Sequence, residues 1–486
     1  MTDTADARSR TAAPSAPVAE ADSPKWSTLP VVLAPTFMVT LDMFIVNVAI
    51  PSIQAKLHAG SGAIQFVVAG ISLAVAAVLV MAGRLGDIYG RRRMFTVGLA
   101  LFTAASALCG VAPNVGELIV GRVAQGISAG MMMPQVLAIL SVAFTGANRL
   151  KAFNAYGIAM GFAGVFGQLI GGVLIKADVF GLGWRAIFLI NVPIGIVVLL
   201  LTPRHVPESK GTGSAKLDLV GTALVTVGLV GVIYPLIKGR EEGWPAWTWI
   251  CLAGAAVLLA IFAVYQNSLG NKGGAPLVNM SLFKQRAFSV GLITTLLFYA
   301  VMSTFFLIFA LYLQQGHGLS ALDSGLIFIP LGSGFFVASM MAKQLGAKLG
   351  RQTLAVGAVV LAVGLGILEL IVNHLGTNGA IGWITPALLV AGYGMGMVMA
   401  PLSATVLAGI PPQFAAAASG VLSTAVQVGT ALGIAIIGNL FYNALGTHIQ
   451  RSSFTHAFIL STEVLAVLAL AVAASVQLLP KPAKKA

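Results

Sequence analysis

From residue 29 onward the chain repeats one pattern: long apolar runs broken by short segments rich in glycine, proline and charge. A helix needs roughly 20 apolar residues to cross a bilayer. By that measure the sequence predicts fourteen spanning helices. They fall at about 29–50, 64–82, 94–112, 117–140, 152–175, 184–203, 218–237, 247–266, 288–313, 323–342, 353–372, 383–408, 417–440 and 455–479. Residues 1–28 hold Ala, Ser, Pro, Thr and charge without an apolar core. They read as a disordered tail and not as a cleavable signal peptide.

Composition fits that pattern. Of 486 residues, 58% are hydrophobic and 9% charged, where a soluble protein carries about 25% charge. Too little polar surface remains to face water, so lipid is the expected solvent. Charge placement then predicts orientation. With an even number of spans both tails lie on one side, and that side with its loops holds 21 of the 28 Lys and Arg. Six lie on the other side, and Arg122 falls inside the fourth span. Cytoplasmic loops keep positive charge, so both termini are expected in the cytoplasm. A basic inner surface accounts for the net charge of +13 without nucleic acid. Cys109 and Cys251 both sit in apolar runs, which argues against a disulfide framework.

Two loops repeat. "GRLGDIYGRRR" (Gly83–Arg93) follows the second span and "KQLGAKLGRQ" (Lys343–Gln352) follows the tenth; they share L-G-x-x-x-G-R. Taking spans 1–6 and 9–14 as two copies of one unit puts both loops between second and third helices. The expected organisation is a tail at 1–28, a six-helix unit at 29–203, an inserted hairpin with flanking loops at 204–287, a second six-helix unit at 288–479 and a tail at 480–486. Parallel six-helix repeats with a site between them are a transporter architecture.

At these residues the chain resembles the major facilitator superfamily, in particular its 14-span drug–proton antiporters. Gly83–Arg93 resembles the superfamily's signature loop, and "LIVGRVAQGISAG" (Leu118–Gly130) its fourth-helix motif. "LDMFIVNVAIP" (Leu41–Pro51) and "WRAIFLINVPIG" (Trp184–Gly195) are similar to its first- and sixth-helix segments. The resemblance implies an all-α integral membrane protein of major facilitator fold, with fourteen helices arranged 6 + 2 + 6. It also implies that Gly83, Asp87, Gly90 and Arg91 form a latch between the halves. In the fifth span, "GQLIGG" (Gly167–Gly172) has Gln168 where the family's antiporter motif usually has proline.

Several residues are candidates for chemistry. Gly161, Gly164, Gly167, Gly171 and Gly172 recur mostly at steps of three or four, a small-residue stripe that lets helices approach closely in lipid. The resemblance adds that this stripe seals the halves against leakage of the coupling ion. Phe298, Phe305, Phe309 and Tyr312 form one aromatic face of the ninth span, either a packing stripe or one wall of an apolar cavity. Asn47, Gln125 and Gln168 are lesser candidates for lining that cavity. "GISAG" (Gly126–Gly130) matches a hydrolase elbow on paper, but it lies in an apolar helix without the strand-to-helix turn or a nearby triad histidine. No enzyme is expected.

Asp42 is the sharpest feature. It lies about eight residues, or ~12 Å, from the outer end of span 1, and Arg122 about five residues, or ~8 Å, into span 4 from the same side. An intramembrane charge is functional by default. Burial pushes a carboxyl toward neutrality and a nearby Arg favours its charged form. Asp42 and Arg122 are therefore the candidates for proton coupling, with a fixed structural pair as the alternative. The expected function is proton-coupled export of drugs or other amphipathic toxic compounds, driven by the proton gradient with no cofactor or metal. Export, or less readily import, of one dedicated metabolite is the alternative. The expected setting is a bacterial inner membrane, and the expected partners are the substrate, protons and lipid. The chain is expected to be a monomer, with a periplasmic adaptor left open.

Overall fold

The computed structural model describes residues 26–210, 217–376, 379–407, 410, 414–446 and 450–479. The predicted tails lie outside the described residues, apart from 26–28. The first group of helices is α1 (Thr28–Leu57), α2 (Ser61–Tyr89), α3 (Arg91–Val111), α4 (Val115–Ala143), α5 (Gly146–Ala177) and α6 (Gly183–His205). A hairpin follows, α7 (Leu219–Glu241) and α8 (Ala246–Asn271). The second group is α9 (Arg286–Leu311), α10 (Ala321–Leu349), α11 (Gln352–Leu375), α12 (Thr385–Leu407), α13 (Ala415–Leu445) and α14 (Arg451–Gln477). No strand occurs among the described residues. Among the described residues thirteen helices are long and apolar enough to cross a membrane, and α5, bent by 49°, makes a fourteenth if its two parts count as one span. Helices are the expected solution, because in lipid each backbone N–H and C=O must find its partner inside its own segment.

Helix α1 departs from its predicted bounds. It runs seven residues past Ile50, with Pro35 and Pro51 inside it, so Asp42 sits at its middle and not near one end. A proline removes one backbone donor and bends a helix without necessarily ending it, provided the flanking turns remain bonded.

The two groups pack by one scheme. In the first, α1 pairs with α5, α2 with α4, and α3 with both α4 and α6. In the second, α9 pairs with α13, α10 with α12, and α11 with both α12 and α14. Glycines make these crossings. A Cβ on Gly126 would collide with the Ile71 carbonyl of α2, and one on Gly130 would stand 3.2 Å from that of Val75. Gly392 and Gly396 of α12 meet the Leu331 and Phe335 carbonyls of α10 in the same way. Gly167 and Gly171 bring α5 onto Leu41 and Ile45 of α1, while Gly429 and Gly433 bring α13 onto Leu296 and Ala300 of α9.

Between the groups, α5 crosses α10 and α2 crosses α13. Direct contacts gather at the end away from the chain termini. There Gln315 Nε2 donates to Gln54 Oε1 at 2.7 Å and Gln65 Nε2 to Asn439 Oδ1 at 3.1 Å. A Cβ on Gly172 would stand 2.6 Å from the Ala321 carbonyl. Toward the termini, Gly157, Gly346 and Gly420 face open space. Among the described residues, the hydrogen bonds between the two groups lie at the end opposite the termini, which they hold closed.

Candidate functional site

Five helices of the first group converge on one buried polar cluster. Asp42 is 1% exposed and Arg122 is 0% exposed, and the two form an ion pair through Arg122 Nη1 and Asp42 Oδ2. Arg122 Nε donates to the Val67 carbonyl of α2 at 2.9 Å, and Nη1 also donates to Gln125 Oε1 at 2.9 Å. The guanidinium lies 5.6 Å from the centre of the Phe188 ring. Asp42 Oδ1 accepts from Gln125 Nε2 and from Asn191 Nδ2, each at 3.0 Å. Both carboxylate oxygens are thus acceptors.

Ser106 of α3 ties the amides together, accepting from Gln125 at 2.9 Å and from Asn191 at 3.4 Å. Two polar atoms stay unsatisfied, Arg122 Nη2 and Asn191 Oδ1. An unpaired buried donor or acceptor costs about 1–3 kcal/mol. The cluster therefore has bonding capacity left for a rearranged state. Asn191 and Ser106 complete the site, and neither was singled out from the sequence. Asn191 carried a usable signal, an amide deep in the apolar run of α6. Ser106 carried none, since serine is common in spanning helices.

The cavity lies elsewhere, between the two groups. Its empty space measures about 1110 Å³, open mouth included. Asn47 lines it, together with Thr40, Met43 and Phe44 of the same helix. Asp42 is on another face of α1, so the ion pair and the cavity are separated by the thickness of one helix. Six methionines contribute: Met43, Met133, Met160, Met302, Met395 and Met399. The polar groups are amides and hydroxyls, and among the described residues no Asp, Glu, Lys or Arg lines the space.

Other expectations are relocated. Phe298, Phe305, Phe309 and Tyr312 do not line the cavity. Phe305 stacks on Phe309 at 5.2 Å, and Phe309 and Tyr312 pack on Phe458 of α14. The cavity side of α9 is instead Tyr299, Met302, Ser303 and Phe306. Gln125 belongs to the ion-pair cluster. Gln168 is fully buried at the α5–α10 crossing, and neither of its amide atoms has a partner. The glycine stripe divides: Gly164, Gly167 and Gly171 face α1, whereas Gly161 and Gly172 face α10.

In the signature loop Gly90 takes φ +108°, a conformation that favours glycine. Arg91 pairs with Asp87 at 3.0 Å. Glu208, beyond α6, accepts from the backbone N–H groups of Arg92 and Arg93 at 3.0 and 3.2 Å, capping α3. Close approach falls to Gly86, whose Cβ would strike the Gln135 side chain, while Gly83 has only ordinary contact with Pro134. The partners of Gly83, Gly86 and Arg91 belong to the first group, and Glu208 to the segment that follows it. These contacts fasten the loop to the first group and the segment after it, and they include no residue of the second group.

A sequence profile described as Major Facilitator Superfamily matches residues 33–434. The chain belongs to the Major Facilitator Superfamily. It is a multi-pass membrane transporter of small molecules, and its relatives include drug and antibiotic efflux proteins. This superfamily member is 41% identical over 431 residues to a probable actinorhodin transporter of Streptomyces coelicolor, covering 88% of this chain and 74% of that one. It is 30% identical over 422 residues to multidrug resistance protein Stp of Mycobacterium tuberculosis, covering 86% and 76%. Among solved structures, a POT family transporter in complex with 5-aminolevulinic acid superposes with a TM-score of 0.67 at 15% identity, covering 94% of this chain and 96% of that one. That likeness concerns the fold alone.

Proposed function

We propose that this superfamily member exports lipophilic, uncharged or weakly charged compounds by alternating access, in exchange for protons. The observation that carries the reading is the pairing of a methionine- and aromatic-lined cavity with a buried carboxylate one helix-width away. Methionine is unbranched and polarisable and adapts to ligands of different shape, and methionine-rich surfaces are a device of promiscuous binders. This favours several substrates over one. The relatives' printed names, a probable actinorhodin transporter and a multidrug resistance protein, fit export.

The coupling follows from α1. Protonating Asp42 would remove the charge that holds Arg122 and turn one acceptor oxygen into a donor. The α1–α4 contact would loosen, and α1 carries Thr40, Met43, Phe44 and Asn47 at the cavity. A proton on one side of the helix thereby changes the grip on substrate on the other. In this reading both termini are cytoplasmic, the chain sits in a bacterial inner membrane and works as a monomer, and the proton gradient is the sole energy source. The test is transport in vesicles oriented so that export runs inward. An acid interior should drive accumulation of a lipophilic dye, and added dye should release luminal protons. Dye movement with no proton movement would overturn the coupling; no movement of any dye in a broad panel would overturn polyspecific export.

A further inference from the structure

The inserted hairpin touches both groups at the closed end. Arg240, one residue from the end of α7, uses all three guanidinium nitrogens. Nη1 donates to Ser61 Oγ of α2 at 2.9 Å. Nε donates to Asn443 Oδ1 of α13 at 2.6 Å, and Nη2 to the Tyr442 carbonyl at 2.7 Å. The guanidinium also lies 5.6 Å from the centre of the Tyr442 ring. The next residue, Glu241, accepts from the Gly62 backbone N–H in the first turn of α2 at 2.7 Å, where the helix dipole favours a negative charge. Only glycine admits this approach, since a Cβ on Gly62 would stand 2.6 Å from the Glu241 carboxyl carbon. Below the fork, Asn439 of α13 donates to the Leu236 carbonyl of α7 while accepting from Gln65 of α2.

Toward the termini-bearing end the hydrogen bonds of this region run to α2. Thr226 of α7 donates to the Ala77 carbonyl at 3.4 Å, and Arg84 of α2 donates to the carbonyls of Ala275 and Pro276 just after α8. The hairpin is therefore fastened to α2 near both ends and to α13 at one end.

We propose that Arg240 is a positioning residue of the transport cycle: carried with α2 on the hairpin, it clasps α13 and holds the opposite end shut. The proposal rests on the alternating-access reading and adds a named gate to it. A planar fork satisfied in three directions is specific for one relative position of α2 and α13. When the groups rock and that end opens, Ser61 and Glu241 can keep their partners, while the bonds to Asn443 and Tyr442 must break. Those bonds bias the two-state equilibrium toward the form closed at that end.

The test reads conformation without substrate or proton gradient, so it can fail while export stands, or hold while export fails. A thiol reporter is placed at the closed seam as Gln315→Cys, in a Cys251→Ser background. It is labelled with a membrane-impermeant maleimide applied to the opposite face, in sealed vesicles of both orientations. Arg240→Ala should raise the labelling rate about fivefold, and Asn443→Ala should raise it similarly. Arg240→Lys should fall between, because an ammonium reaches fewer of the three acceptors. Ser61→Ala should have the smaller effect, since Glu241 and Thr226 still hold the hairpin on α2. Parental labelling in both Arg240→Ala and Asn443→Ala would overturn the clasp. If Arg240→Ala does not insert, Asn443→Ala alone decides. An effect of Ser61→Ala equal to that of Asn443→Ala would overturn the claim that the hairpin rides with the first group.

Discussion

The two six-helix groups share a skeleton and differ in charge. In the first, Arg122 and Gln125 stand four and one residues before Gly126; at the same places before Gly392 the second group has Leu388 and Ala391, both fully buried. Asp42 follows Leu41, the residue that faces Gly167. Its counterpart after Leu296, which faces Gly429, is Leu297, packed among apolar neighbours. The glycine crossings are thus duplicated, and the ion pair is not. In lipid there is little hydrophobic drive between helices, so close packing at small residues sets the arrangement of both groups. The buried charge adds little net stability, since desolvation offsets most of its attraction. Its presence in one group is better explained by work done there than by folding.

The sharpest way to break this comparison is at the pair itself. Asp42→Asn, which strands the buried Arg122, should still insert, with lowered thermal stability and with proton-coupled dye uptake down at least tenfold. Arg122→Met alone should destabilise by about 3–5 kcal/mol, because it strands a buried carboxylate. The double variant should regain most of that stability in thermal unfolding without regaining transport. Uptake by Asp42→Asn at the parental rate would reduce the pair to a structural one.

A smaller effect tests the shared skeleton. Gly126→Ala and Gly392→Ala should each destabilise by about 1–3 kcal/mol, the cost of overpacking a tight contact. The two should agree closely in unfolding measurements; a large cost in only one group would mean that the crossings are not equivalent.

The smallest effect concerns specificity. Phe306→Leu, at the cavity, should change the ratio of export rates for two dissimilar dyes by roughly fivefold, about 1 kcal/mol of pocket contact. Phe305→Leu, which faces away, should leave that ratio near parental. The reverse ranking would restore the aromatic face first read from the sequence.

The aromatic face of the ninth span shows where sequence reading stops. Phe298, Phe305 and Phe309 of α9, with Tyr312 just beyond its end, do share a face, as the helical period requires, but the period does not say which neighbour the face meets. In a soluble helix the apolar side marks the interior. In α9 every side is apolar, so the same pattern fits lipid, a neighbouring helix or a cavity. Asp42 and Arg122 were legible because charge is rare in a spanning helix and their depths agreed. Asn191 and Ser106 were not, because their role exists only where α3 and α6 bring them onto Asp42.

The sequence by itself determined the membrane setting, a run of thirteen to fourteen spanning helices, the recurring L-G-x-x-x-G-R loop and the two charges that stand out in an apolar chain. These follow from local composition and run length, which need no knowledge of neighbours. Tertiary structure alone decided that Asp42 turns away from the cavity, that the Phe298–Tyr312 face packs on a neighbouring helix while methionines and other aromatics line the cavity, and that Arg240 joins α2 to α13. Each of these depends on which helix faces meet, and that is set by glycine-sized gaps between residues far apart in the chain, from Gly126 against Ile71 to Gly172 against Ala321.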